Sequence, residues 1–337
     1  MNIARRSVIL AGGAMLATPR ARAAQPVRLG LLHTLSPAPM YIAKERGYFA
    51  QGGLDVEFRF FAAAQPIAAA VVSGDVDIGI TALTGGFYSL AQKSGLKVIG
   101  GGLHLDKHVK LIAVLASKKA YAAGLTSLDK LAGHSLGITQ YGSSFHYMVW
   151  QLGAQFHFDP KTVTLRPLQG ISNMVAAVST GQVDATMAIA SMAEAAAAKG
   201  DAHIIGWVDD TVPYQITALF TSAHMLTAQP AAVKAFCAGY KKGIADYREA
   251  FLRFDAAGKP VYDATTAAVL PMIEKYVFTG DPKAEAKIKA GIGWYDKAGA
   301  LDVADLKRQV AWFEEQKLVK GRIDVASIVD TRFMPTR

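Results

Sequence analysis

The sequence contains a single cysteine, Cys237, so no disulfide can form within one chain. Beyond the first 23 residues it has no uncharged apolar run of about 18 residues, the length that a membrane-spanning helix needs. It also lacks basic runs and interleaved basic and aromatic residues, which argues against nucleic-acid binding. Stability must therefore come from a hydrophobic core, and 51% of the residues are hydrophobic. We expect Cys237 to be a buried structural thiol.

The first residues have the features of an export signal. Arg5 and Arg6 precede an apolar run at residues 8–17, and Ala21-Arg22-Ala23 provides a small-x-small cleavage pattern. We interpret residues 1–23 as a signal peptide. The paired arginines fit twin-arginine export, although an ordinary basic start for the general secretory route remains open. Removal of the four arginines of this segment would lower the formal charge from +9 to +5 and leave a soluble periplasmic protein.

One ten-residue pattern occurs twice, as AAAVVSGDVD at residues 68–77 and as VAAVSTGQVD at residues 175–184. In each copy a helical apolar run leads to a Gly at a helix end, and Val-Asp then opens a short apolar strand. Two helix-to-strand units predict two α/β lobes, with ligands binding beyond the carboxyl ends of the strands. The alternative is that the pattern is a common αβ connection repeated by chance.

The strand and helix patterns along the rest of the chain also favour two α/β lobes. Strands are predicted at residues 27–33, 54–61, 78–82, 110–117, 135–139, 163–168, 204–208 and 215–222. Helices are predicted at residues 40–51, 65–73, 145–156, 234–254, 265–278 and 302–316. The predicted first lobe comprises residues 24–115 and 218–337, and the second comprises residues 116–217. Two crossings between the lobes predict a hinge.

The segment APMYIAKERGYFAQGGLDVEF at residues 38–58 resembles the start of periplasmic solute-binding proteins of ABC importers for nitrate, sulfonates, taurine or pyrimidine precursors. The matching positions are Tyr41, Ala43, Lys44, Glu45, Gly47, Tyr48, Phe49, Gly53, Leu54, Asp55 and Val56. SGDVDIG at residues 73–79 and LAGHSLGITQYGSS at residues 131–144 also resemble that family. The resemblance implies a type II two-lobe binding protein whose helical C-terminal region packs on the first lobe. It further implies an inner-membrane ABC permease as partner.

Candidate ligand-binding residues lie in loops at the predicted strand ends. They are Leu35, Ser36, Pro37, Thr81, Ala82, Thr84, Tyr141, Ser143, Ser144, Phe145, His146, Gly170 and Ser191. The loop at residues 141–144 precedes a helix, where free N–H groups and two hydroxyls suit a carboxylate or sulfonate. Ser143 and Ser144 also suit simple N-capping, and the two roles are compatible.

Aromatic side chains crowd the same segments, and no Arg lies in the candidate loops. The pattern predicts a ligand with an apolar or aromatic body and one anionic end. The aromatic residues concerned are Phe87, Tyr88, Tyr141, Phe145, His146 and Tyr147. Core packing is an equal explanation for Phe87, Tyr147 and Trp150, which fall at helical spacing.

The sequence therefore predicts a monomeric receptor for a small organic anion, with no cofactor, no metal and no catalytic residue. Two alternatives remain. One is a periplasmic receptor that reports to a membrane sensor kinase. The other is an enzyme, because the resembling fold family also includes enzymes of pyrimidine and menaquinone precursor synthesis. The segment around Ser143 and Ser144 lacks the G-x-S-x-G pattern of a hydrolase elbow.

Overall fold

The computed structural model describes residues 23–210 and 214–337. The predicted signal peptide lies outside these residues except for Ala23, and it stays a prediction. Among the described residues, no helix combines the length and apolar character needed to cross a bilayer.

Helices and strands alternate through the first two thirds of the chain, and helices dominate the last third. The strands are β1 (Gln25–Leu32), β2 (Leu54–Phe61), β3 (Ile78–Ala82), β4 (Leu96–Gly101), β5 (Leu103–Leu105), β6 (Ile112–Ser117), β7 (Ser135–Ile138), β8 (Thr164–Pro167), β9 (Ala185–Ile189), β10 (Ala202–Trp207), β11 (Tyr214–Gln215), β12 (Thr217–Ser222) and β13 (Trp294–Tyr295). The helices are α1 (Ala38–Glu45), α2 (Tyr48–Gln51), α3 (Ala64–Ser73), α4 (Gly85–Ser94), α5 (Lys118–Ala122), α6 (Ser144–Phe156), α7 (Ile171–Ser179), α8 (Ala190–Ala198), α9 (Ala223–Ala228), α10 (Pro230–Phe251), α11 (Ala264–Val277), α12 (Ala284–Ala290), α13 (Val303–Glu315) and α14 (Val325–Ile328).

Two five-stranded sheets share one topology. The first has the order β2-β1-β3-β12-β4, and the second has the order β8-β7-β9-β6-β10. In each sheet the first three strands are parallel and the fourth is antiparallel to both of its neighbours. Helices follow the parallel strands and connect each of them to the next strand, as in βαβ units. The predicted two-lobe α/β class is confirmed.

The ten-residue repeat serves the same structural purpose in both halves. Each copy ends a helix with a Gly at positive φ, 81° at Gly74 and 74° at Gly181. The Asp that closes each copy accepts a backbone N–H from the neighbouring parallel strand, Asp77 from Arg28 at 2.7 Å and Asp184 from Ser135 at 2.9 Å. The strand begins at the residue after that Asp, Ile78 in the first copy and Ala185 in the second.

The predicted helix at residues 40–51 is two helices in the structure, α1 and α2. Gly47 separates them with φ at 69°, a left-handed conformation that an α-helix interior does not accommodate. In the C-terminal region, α10 begins earlier than predicted, at Pro230, and packs on α1. Gly243 permits this approach, because a Cβ atom there would lie 2.3 Å from the carbonyl oxygen of Pro39. The helical C-terminal region thus packs on the first lobe, as expected.

The chain passes between the sheets in a small antiparallel sheet of order β11-β5-β13. Strand β6 begins at Ile112 and belongs wholly to the second sheet, and β12 begins at Thr217 and belongs to the first. The predicted strand at residues 215–222 is divided between β11 and β12. We therefore propose crossings next to β5 and β11, a few residues before the predicted lobe boundaries at residues 115 and 217.

Candidate functional site

A cleft of about 900 Å³, measured out to its open mouth, lies between the two sheets at the carboxyl ends of their parallel strands. Loops after β1, β2 and β3 form one wall, and the loop after β7 with the start of α6 forms the other. The residues that line it are Leu32, Thr34, Leu35, Ser36, Ala62, Ala63, Ala64, Gln65, Ala82, Thr84, Leu103, Leu111, Ile112, Thr139, Gln140, Ser143, Ser144, Phe145, Met148, Ile171, Ile189, Ile216, Thr217 and Gly291. This position agrees with ligand binding in open α/β sheets.

About half of the predicted ligand-binding residues line the cleft. Those that do are Leu35, Ser36, Ala82, Thr84, Ser143, Ser144 and Phe145. The structure thus brings together residues from three segments that are far apart in sequence. Their contact with a ligand remains a prediction.

The other predicted residues lie beside the cleft without lining it. They are Pro37, Thr81, Tyr141, His146, Gly170 and Ser191. Nearby side chains line the cleft instead: Ile171, the first residue of α7, follows Gly170, and Ile189, the last residue of β9, lies two residues before Ser191. Pro37 is the residue immediately before α1. Position at a loop therefore did not establish which side chain faces inward.

Three of these six residues make contacts outside the cleft or are buried in the core. Thr81 is buried in β3, and its hydroxyl has no hydrogen-bond partner within the described residues. Tyr141 is 57% exposed and donates its hydroxyl to the carbonyl oxygen of Leu165 at 3.3 Å. His146 is buried under Trp312, with ring centroids 5.1 Å apart.

The expected aromatic lining is not present, because Phe145 is the one aromatic side chain of that group that lines the cleft. Phe87 and Tyr88 pack in the core of the first lobe, against Phe220 and Phe313 respectively. Tyr147 packs against Tyr214 at 5.1 Å. The core explanation is thus correct for these residues.

Aliphatic side chains take the place of the aromatic ones, and sequence reasoning missed them. They come from the hinge and from helix starts: Leu103, Leu111, Ile112, Met148, Ile171, Ile189 and Ile216. The loop after β2, Ala62 to Gln65, was also missed, although the strand-end rule applied to β2 would have identified it. The hinge residues have no local sequence feature that marks them as cleft residues. An apolar residue at a strand end is indistinguishable, in the sequence alone, from a residue of the hydrophobic core.

No side chain that lines the cleft is charged or titratable, within the described part of the chain. Its polar groups are neutral hydroxyls and amides: Thr34, Ser36, Gln65, Thr84, Thr139, Gln140, Ser143, Ser144 and Thr217. A ligand here would exchange water for an apolar wall and a few neutral hydrogen-bond donors and acceptors. Any charge on the ligand must be stabilised by the dipoles of hydroxyl, amide and backbone groups rather than by oppositely charged side chains.

The first turn of α6 is the clearest source of such dipoles. The hydroxyl oxygen of Ser143 accepts the N–H of His146 at 3.3 Å, and the carbonyl oxygen of Ser143 accepts the N–H of Tyr147 at 3.1 Å. The N–H groups of Ser144 and Phe145 have no partner within the described residues. Both residues line the cleft, and the helix dipole adds partial positive charge at this end.

The two lobes meet across the cleft mouth. The side-chain amide of Gln140 donates to the side-chain oxygen of Gln65. Close by, the N–H of Gly85 donates to the carbonyl oxygen of Gly142 at 3.0 Å. Gly142 has φ at 75°, a left-handed conformation that favours glycine, and a Cβ atom there would be in ordinary contact with Gly85 at 3.8 Å.

Cysteine chemistry is remote from the cleft. Cys237 is buried in α10, and burial raises the pKa of its thiol to about 12. The expectation of a buried structural thiol is confirmed. Among the described residues, no group of three or more His, Cys, Asp and Glu is arranged to hold a metal ion.

Comparisons with known proteins place this geometry in context. A family model described as NMT1/THI5 like matches residues 35–250. The ligand-binding component of an ABC-type import system from Staphylococcus aureus has a TM-score of 0.71 and 14% identity, covering 92% of this chain and 97% of its own. The alkanesulfonate-binding protein SsuA from Xanthomonas axonopodis pv. citri, bound to MOPS, has a TM-score of 0.70 and 18% identity, covering 92% and 100%.

The same fold also occurs in the desulfurization enzyme DSZB, with a TM-score of 0.59, 13% identity, and coverage of 92% of this chain and 97% of that chain. At such identities the structural likeness concerns the fold alone. No curated protein matches the chain.

Proposed function

The chain belongs to the NMT1/THI5-like family, and from this membership we propose that it is a periplasmic solute-binding receptor for a small organic anion. The ligand binds in the cleft between the lobes, and the loaded receptor delivers it to the permease of an ABC importer. The observation that carries this proposal is the cleft itself, an uncharged lining that ends at the first turn of α6.

The lining supports a ligand with one anionic end and an aliphatic body. The free N–H groups of Ser144 and Phe145, with the nearby hydroxyls, suit a monoanionic oxygen cluster. A dianion would lack a cationic side chain to offset its desolvation. The aliphatic wall suits an alkyl chain better than an aromatic ring that needs stacking partners. Sulfonates, which the named relative SsuA binds, are our first candidates.

The lining also supports rejection of ligands that carry an ammonium group. An ammonium ion in an aliphatic cleft needs a carboxylate partner, since its desolvation costs several kcal/mol. No Asp or Glu lines the cleft within the described residues. The undescribed residues, 1–22 and 211–213, contain no Asp or Glu either. We therefore propose that 1-propanesulfonate is accepted and that taurine, its near-isostere with an ammonium group, is not.

Catalysis has less support. The enzyme alternative needs a nucleophile or a general base in the cleft, and the described lining residues offer hydroxyls and amides without an adjacent base. The sensor alternative uses the same cleft and differs only in the partner of the loaded receptor.

The experiment is a thermal-shift screen followed by calorimetry, with alkanesulfonates, nitrate, aliphatic and aromatic carboxylates, and pyrimidines. A ligand at a hundred times its Kd adds about 2.7 kcal/mol to the free energy of unfolding. We expect a hit among aliphatic monoanions, with 1-propanesulfonate binding at least about a hundredfold more tightly than taurine. Equal binding of the pair would contradict the assignment of an uncharged cleft, and silence across all classes would contradict the receptor proposal.

The anionic end of the site is tested by replacing Ser143 and Ser144 together with Ala. We expect the affinity for the hit to fall about tenfold or more, because two hydroxyl donors are lost. The free energy of unfolding should fall by only about 1 kcal/mol, the usual cost of an N-cap. Thr34→Val, in the opposite wall, is the matched control for loss of one hydroxyl away from α6. An affinity that is unchanged in the double variant would show that α6 does not hold the charged group.

A further inference from the structure

Helix α13, near the end of the chain, lies along the hinge and uses one face to contact it. Asp305, Gln309 and Trp312 are four and three residues apart, so they lie on the same side of the helix. The carboxylate of Asp305 accepts the N–H of Gln215 at 2.8 Å, and the side-chain amide of Gln309 donates to the carbonyl oxygen of Gln215 at 3.0 Å. Both backbone groups of this residue in the crossing strand β11 are thus held by α13.

The third residue of that face, Trp312, reaches the second lobe. Its ring lies 5.1 Å from that of His146 and 5.0 Å from that of Tyr147, both in the first turns of α6. Trp312 is 7% exposed, and its indole N–H has no hydrogen-bond partner within the described residues. Its contribution here is therefore packing, from a helix of the first lobe onto the helix whose first turn lines the cleft.

His146 connects this packing to the loop before α6. The N–H of Gly142 donates to Nδ1 of His146 at 3.0 Å, so that nitrogen must be unprotonated. Burial lowers the pKa of His146 to about 4, which keeps the ring neutral at physiological pH. The carbonyl oxygen of Gly142 in turn accepts the N–H of Gly85 from the first lobe. Gly142 is thus held on both sides, immediately before Ser143 and Ser144.

We propose that Trp312 is a positioning residue for the anion-binding end of the cleft, acting through His146 on the loop at residues 141–144. The ring of Trp312 fixes the orientation of the His146 ring, and His146 then fixes the backbone that presents Ser143 and the free N–H groups of α6. This assignment rests on the proposed function of the cleft. It adds a residue that lies outside the lining and outside the loops that the sequence singled out.

The first test needs no ligand. Hydrogen exchange measured by mass spectrometry on the purified protein follows peptides that contain residues 141–144 and residues 84–87. In Trp312→Leu and in His146→Phe we expect exchange at residues 141–144 to accelerate about tenfold. His146→Asn, whose side-chain oxygen lies close to the position of Nδ1, should retain much of the protection, and strand β9 should be unchanged in all variants.

The second test measures affinity for 1-propanesulfonate by calorimetry. We expect a Kd about tenfold higher in Trp312→Leu and within about threefold of wild type in Trp312→Phe, which retains a ring. Trp207→Leu is the matched control, because Trp207 packs in the second lobe away from α13. It should lose stability without loss of affinity.

The outcomes separate the two proposals. If the wild-type protein does not bind 1-propanesulfonate or any other anion of the screen, the proposed function fails, and the exchange data still test the coupling. If exchange at residues 141–144 and affinity both stay unchanged in Trp312→Leu, the positioning role is wrong. Should Trp312→Leu fail to fold, the pair His146→Phe and His146→Asn decides, since equal behaviour of the two variants overturns the proposal.

Discussion

At the scale of single residues, buried polar side chains hold the backbone where the chain changes lobe. Asp209 is 4% exposed, and one of its carboxylate oxygens accepts the N–H groups of Leu111 and Ile112 at 3.0 and 2.8 Å. Both of these residues line the cleft. The other carboxylate oxygen has no partner within the described residues, and burial raises the pKa of Asp209 to about 7. The protonation state of this carboxyl group, which holds the hinge backbone, therefore changes near neutral pH.

The raised pKa predicts the direction of that link. Between about pH 4 and pH 7 the folded protein keeps a proton on Asp209 that the unfolded chain has lost, so this group lowers the stability as the pH rises through that window. Asp209→Asn removes the charge and keeps an acceptor for both N–H groups. We expect the variant to match wild type near pH 4 and to exceed it by about 2–4 kcal/mol at pH 8.

Urea denaturation at the two pH values measures this difference, and His146 contributes equally to both proteins. The same pH dependence in the variant and in wild type would show that Asp209 is ionised in the folded protein throughout.

At the scale of elements, the repeated helix-to-strand unit explains how each lobe begins its parallel sheet. Asp77 and Asp184 end the two copies, and each accepts the N–H of a residue 49 positions earlier, in β1 and β7 respectively. In the second lobe the hydroxyl of Ser135 also donates to Asp184, at 2.8 Å. In the first lobe the side chain of Arg28 donates to Asp77. The acidic side chain therefore joins the two parallel strands at the point where their pairing starts.

This role predicts a contrast between two substitutions. Asp184→Ala removes the acceptor for two donors and should lower the free energy of unfolding by about 2 kcal/mol. Asp184→Asn keeps an acceptor oxygen and should cost less than about 1 kcal/mol. Urea denaturation measures both. If the two variants lose the same stability, the negative charge rather than the shared acceptor joins the strands.

At the scale of the whole molecule, two lobes of one topology are joined by two crossings and meet again at the cleft mouth. Gln65 and Gln140 form a hydrogen bond across that mouth, one from each lobe. Ligand-driven closure requires contacts that are made more strongly in the closed form. Because the Gln65–Gln140 hydrogen bond joins the two walls, we predict that it is such a contact.

A double-mutant cycle tests this pair with 1-propanesulfonate as the ligand. Gln65→Ala and Gln140→Ala should each accelerate ligand dissociation, with a coupling energy of about 1 kcal/mol between them. Association rates should change little. Stopped-flow kinetics measures both rates. Additive effects of the two substitutions would show that the hydrogen bond does not contribute to holding the ligand.

Local patterns in the sequence determined much of the fold. Strands β2 and β3 have the bounds that alternation and apolar runs predict, because these signals depend on residues close together in the chain. The repeat predicted two similar lobes for the same reason. The start of α6 with Ser143 and Ser144 was also predictable, since capping chemistry is local. Export, by contrast, stays a prediction from the first 23 residues.

Only the tertiary structure decided which side chains face the cleft and what holds them. The aliphatic wall combines Leu111, Ile189 and Ile216 from separate elements, and each has the appearance of an ordinary core residue in the sequence. The contact of Trp312 with His146 joins residues far apart in the chain. Such pairings arise from the packing of whole lobes, and no short-range periodicity encodes them. The sequence thus determined most of the helices and strands and the end of the cleft at α6. The packing of the lobes determined the uncharged, aliphatic character of the cleft.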